Sequence, residues 1–82
     1  MSDEHVLIMG GTDREVRDFA RRNQLDPVLS ISQPYQMRGR RGQRLIVLQD
    51  IYTRAPRWYE LIAYAREAGL VIEYRNFADG AS

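Results

Sequence analysis

The alternation of short apolar runs with amphipathic segments along these 82 residues predicts an α/β domain. Three observations carry that reading. Residues 5–9 (HVLIM), 28–32 (VLSIS), 45–48 (LIVL) and 70–74 (LVIEY) are apolar runs of strand length, rich in Val, Ile and Leu. Two stripes with helical spacing separate the first pair of runs and the last pair. Gly, Pro and Asp mark the breaks between them. Strands alternating with helices of this length favour parallel pairing through right-handed crossovers. The expected architecture is a minimal Rossmann-like β-α-β-β-α-β domain of four mostly parallel strands and two helices, in the order 2-1-3-4. Residues 1–77 make one domain and 78–82 a frayed C-terminal tail.

The first strand ends at Gly10-Gly11, a turn. Thr12-Asp13-Arg14-Glu15 then fits a capping box, in which Thr12 and Glu15 satisfy each other's free amides. Val16, Phe19, Ala20 and Asn23 follow at i, i+3, i+4 and i+7, so a helix is expected over about 13–24. Asp26-Pro27 stops it, and the second strand begins. Residues 33–43 have no periodicity, and Pro34, Gly39 and Gly42 mark them as a loop. Eleven extended residues reach at most about 36–40 Å, enough to cross the sheet and start a parallel third strand. A hairpin between strands two and three would fit the loop as well. Pro56 suits the first turn of a second helix, whose stripe is Trp58, Leu61, Ile62 and Ala65. Gly69 suits its left-handed stop. Phe19-Ala20-Arg21-Arg22-Asn23-Gln24-Leu25 and Tyr64-Ala65-Arg66-Glu67-Ala68-Gly69-Leu70 echo each other. Similar packing demands at two helix ends account for this as well as a duplication does.

Composition removes several kinds of function. There are no cysteines, which excludes disulfides, thiolate metal sites and cysteine nucleophiles. All twelve basic residues are Arg, so no phosphate-loop lysine or Schiff-base lysine exists. His5 is the only histidine, at a strand start, with no triad partner and no carboxylates at metal-ligand spacing. No apolar run is long enough to span a membrane. A secreted domain this small would usually need disulfide staples, so a reducing cytoplasm is expected, and the acidic N-terminus lacks a signal-peptide pattern. The formal net charge of +1 does not itself mark a nucleic-acid binder.

Three surfaces carry candidate functions. Arg38-Gly39-Arg40-Arg41-Gly42-Gln43-Arg44 places four cations in seven residues, with Arg54 and Arg57 beyond the third strand. Arg interleaved with Gly suits contact with phosphate backbones or an acidic partner surface; it also suits a solvated loop that deters edge aggregation. Gly10, Gly11 and Thr12 lie where a parallel sheet binds anions, and Asp50 and Thr53 end the third strand beside them. They form a possible nucleotide or phosphate site, although no complete phosphate-binding motif is present and Asp13 would repel an anion. The structural alternative is a tight turn with a helix cap. Tyr59, one position round from the core stripe, is a possible interface residue. Two strands must be sheet edges, and a small domain gains stability by pairing them, so a homo-oligomer is expected. No acid, base and nucleophile set is visible, and no cofactor is implied.

Residues 6–20, the Met37-Arg38-Gly39-Arg40 loop, the 45–48 strand and Asp50-Ile51-Tyr52-Thr53-Arg54 together resemble small Rossmann-like proteins of unknown function encoded by actinobacterial phages. Arg-only basicity fits a high-GC genome of that kind. The resemblance implies a phage-encoded protein acting in the cytoplasm of a host bacterium, and it brings no catalytic residue with it. The expected function is a small non-enzymatic binding module that contacts nucleic acid or an acidic partner through its Arg-rich loop. The alternatives are a nucleotide or phosphate binder at the strand ends and a host-protein interaction factor.

Overall fold

In the computed structural model, which describes residues 5–78, the strands are β1 (Val6–Met9), β2 (Val28–Ser30), β3 (Arg44–Leu48) and β4 (Val71–Arg75). The helices are α1 (Asp13–Arg22) and α2 (Trp58–Glu67). The sheet order is β2-β1-β3-β4, and every neighbouring pair is parallel. The expected 2-1-3-4 order is therefore present, and the hairpin alternative is absent.

Strand alternation sends successive side chains to opposite faces, and each face meets one helix. Leu7, Met9, Leu45 and Val47 pack with Leu61, Ile62 and Ala65 of α2. Ile8, Ile46 and Leu48 pack with Val16, Phe19 and Ala20 of α1. The crossover through α1 leads from β1 outward to β2, and that through α2 leads from β3 outward to β4. The carboxyl ends of β1 and β3 therefore flank the point where the chain direction reverses, the place where open α/β sheets form a crevice.

The capping box closes as expected. The Glu15 N–H donates to Thr12 Oγ1 at 3.2 Å, and the Thr12 N–H donates to Glu15 Oε1 at 3.0 Å. Four local expectations need correction. The helix expected over 13–24 ends at Arg22, because Gln24 turns left-handed with φ 57°. The second strand stops at Ser30 rather than Ser32. The 33–43 loop contains a 3-10 turn, Pro34–Met37, whose Met37 is fully buried against the α2 face. Gln36 organises that turn by accepting the N–H groups of Ser32 and Gln33 and donating to the Ser30 carbonyl. Pro56 lies outside α2, between a second 3-10 turn (Tyr52–Arg54) and Arg57, the left-handed N-cap with φ 58°. The fraying expected at 78–82 falls, beyond Ala78, outside the described residues.

Candidate functional site

The twelve arginines divide sharply by their partners. Arg17, Arg21, Arg22, Arg44, Arg54, Arg57 and Arg75 each bridge to a carboxylate at 2.7–3.3 Å. Arg14, Arg38, Arg40, Arg41 and Arg66 form no ion pair among the described residues. Three of these five, Arg38, Arg40 and Arg41, lie on the loop that leads into the amino end of β3, and Arg66 lies in the last turn of α2, the helix end on which that loop docks.

Local structure explains the gathering. Gly39 and Gly42 adopt positive φ (76° and 87°) and fold the loop back on itself. The Gly42 N–H donates to the Gly69 carbonyl at 2.9 Å, and the Val71 N–H donates to the Gln43 carbonyl at 2.9 Å. These bonds dock the loop on the end of α2. Arg41 lies across Gly69, where a Cβ would stand 2.8 Å from its Cγ. The Arg40 Nε–H donates to the Gln36 carbonyl at 2.9 Å, which holds the side chain against the 3-10 turn. Arg38 is exposed. Arg44 is partly neutralised by Glu73 at 3.1 Å. Arg66, exposed on the last turn of α2 three residues before Gly69, adds a cation at the helix end where this loop docks, next to the exposed Glu67. Spacing does not reveal it: Arg66 lies 22 positions from Arg44, and the Gly42–Gly69 and Val71–Gln43 bonds bring the segments together.

Arg54 and Arg57 do not belong to this cluster. They follow the carboxyl end of β3, about 13 Å of strand away. Arg54 bridges to Glu15 at 2.9 Å. Arg57 donates to Glu60 at 2.7 Å, and that bond, with the Glu60 charge behind it, raises the guanidinium pKa above its ordinary value.

The carboxyl end holds a crevice of about 290 Å³ lined by Gly10, Gly11, Thr12 and Asp13, by 30–34, and by Ala55, Pro56, Arg57, Glu60 and Leu61. Gly10, Gly11 and Thr12 meet here. Asp50 and Thr53 are not among the lining residues. Asp50 accepts the Phe77 N–H at 2.7 Å, tying the chain after β4 to the end of β3. Both glycines have packing reasons. A Cβ on Gly10 would meet Leu48 Cδ1 at 2.7 Å, and one on Gly11 would meet Glu15 Oε1 at 2.5 Å. The start of α1, where an anion would sit, already receives the Glu15 carboxylate. Asp13 and Glu60 add further negative charge around the crevice.

Tyr59 is 60% exposed and meets Trp58 edge to face at 5.8 Å. Trp58 meets Tyr52 at 5.1 Å, and Tyr52 lies 6.4 Å from Tyr74, so these rings run from α2 to the edge of β4. Among the described residues there is no cluster of potential metal ligands and no helix long and apolar enough to cross a membrane.

Fold and site thus define a doubly wound four-stranded α/β domain with a basic amino end and a carboxylate-rimmed carboxyl end. No family model, curated protein or solved structure matches the chain.

Proposed function

We propose that the protein is a non-enzymatic binding module that grips nucleic-acid phosphates with the arginines at the amino end of its sheet. One observation carries the reading. Seven guanidiniums are matched internally; of the five that are not, three lie on the loop entering β3 (Arg38, Arg40, Arg41) and one, Arg66, in the last turn of α2, where that loop docks. The 38–41 stretch carries three such cations and no carboxylate of its own. Unmatched guanidiniums on a loop fixed by two backbone bonds are suited to bidentate phosphate contacts. The bacterial cytoplasm is the compartment this reading implies.

Fluorescence anisotropy of labelled single- and double-stranded DNA and RNA across a salt series tests it. Binding should weaken steeply with salt, losing about 0.7–0.9 in log–log slope for each phosphate neutralised. The triple variant Arg38→Ala, Arg40→Ala, Arg41→Ala should lose most of that slope while remaining folded by circular dichroism. Unchanged binding in the triple variant, or none by the wild-type protein at low salt, would refute the proposal; capture of an acidic protein instead would identify the other partner class.

A further inference from the structure

The two edges of the sheet are not alike. β2 is only three residues long, so it offers two outward amide positions, Val28 and Ser30. β4 has five residues and no proline, with Val71 57% and Tyr74 45% exposed. It pairs only with β3. The Val71 N–H donates to the Gln43 carbonyl, and the Arg75 carbonyl accepts the Gln49 N–H at 2.8 Å. Parallel-ladder parity then directs the amide groups of Val71, Glu73 and Arg75 toward β3 and those of Ile72 and Tyr74 away from the sheet.

We propose that β4 pairs antiparallel with β4 of a second copy, across a two-fold axis at Glu73. In that register Ile72 of each copy faces Tyr74 of the other, and each such pair exchanges both backbone hydrogen bonds. On the α2 face this sets a β-branched side chain against an aromatic ring, a favourable cross-strand pair. On the α1 face the two Glu73 carboxylates approach at the axis. Each is already held by Arg44 at 3.1 Å and Arg75 at 3.3 Å on its own chain. Arg75 of the second copy lies diagonal to Glu73, within reach of a long side chain. The charges on this strand are therefore complementary to themselves under two-fold rotation. They favour a second copy over an unrelated extended peptide, which would have to supply its own match. Such an interface is isologous and closes on itself. The edges left at the ends of the eight-stranded sheet are the two short β2 strands. The inference does not rest on the nucleic-acid reading, and its test needs no nucleic acid.

Sedimentation over a wide range of protein concentration, with amide hydrogen exchange read by NMR, tests it. The mass should rise from 9.6 kDa toward twice that value. Over the same range the Ile72 and Tyr74 amides should become protected, while Val28 and Ser30 on the other edge stay exchangeable. Glu73 should be protected throughout. Tyr74→Pro removes an outward N–H and no hydrogen bond to β3, and Tyr74→Lys sets a cation against Ile72 of the other copy while keeping the N–H; both lose the ring beside Tyr52, and both should stay monomeric with native circular dichroism. A mass fixed at 9.6 kDa at every concentration overturns the proposal. So does a dimer in which Ile72 and Tyr74 exchange freely, or one that survives both variants.

Discussion

A Cβ built on Gly11 would stand 2.5 Å from Glu15 Oε1 and 3.3 Å from the Ile51 carbonyl oxygen. The empty space at Gly11 is therefore used by the protein's own carboxylate. Oε1 takes the N–H and hydroxyl of Thr12, while Oε2 takes the Arg54 guanidinium. One side chain thus caps α1 and ties the β1–α1 turn to the segment after β3. Gly11→Ala should expel that carboxylate and cost about 1–2 kcal/mol, the range for losing a cap and its hydrogen bonds. Glu15→Ala alone should cost about 1 kcal/mol. In the double variant the two losses should fall short of their sum, because the second substitution removes what the first displaces. Urea unfolding of the four proteins measures this. Additive losses would show that Gly11 is needed for its backbone and not for Glu15.

At the scale of elements, the sequence echo between the two helix ends has a structural cause. Both helices close with the same Schellman motif. The Leu25 N–H reaches the Ala20 carbonyl at 2.8 Å and the Gln24 N–H reaches Arg21; likewise Leu70 reaches Ala65 at 3.0 Å and Gly69 reaches Arg66. Aligned motif for motif, Gln24 (φ 57°) occupies the left-handed position that Gly69 (φ 82°) occupies at the second end. Gln24→Gly should therefore stabilise the protein by about 1 kcal/mol, by relieving a strained backbone. Gly69→Ala should destabilise it by about 1–2 kcal/mol, since it adds that strain and displaces the Arg41 stem. Thermal unfolding decides both signs. The elements themselves were legible, because stripes such as Val16–Phe19–Ala20 and runs such as 45–48 report burial directly. Their ends were not. A left-handed Gln24 has no composition signal, and Pro56 reads as a helix start although Arg57 turns the chain before α2 begins. Met37 was hidden for a different reason: one buried residue in a 3-10 turn, Pro34–Met37, makes no repeat to detect.

Across the whole molecule, the sequence revealed which residues carry charge but not which charges are already matched. Arg54 and Arg57 look equivalent to Arg38 and Arg41 along the chain. In the fold they sit at the opposite end of the sheet, facing Glu15 and Glu60. Arg66 looks like an ordinary helix-end cation favoured by the dipole, yet it shares the amino end with the 38–44 loop. Long-range pairing such as Arg54 with Glu15 is a tertiary property, whereas i,i+3 and i,i+4 pairs, such as Arg17 with Asp13 and Arg57 with Glu60, were open to reading from spacing. This partition makes a prediction that proximity in sequence would reverse. Replacing Arg54 and Arg57 together by Ala should leave nucleic-acid affinity and its salt slope essentially unchanged, because those cations are neutralised and face away. Arg66→Ala, a single change outside the Arg-rich segment, should reduce the magnitude of the slope by about 0.7–0.9, one phosphate contact's worth. Parallel anisotropy titrations of the two variants compare them directly. A large loss from the Arg54/Arg57 pair, with none from Arg66, would move the binding surface to the carboxyl end of the sheet.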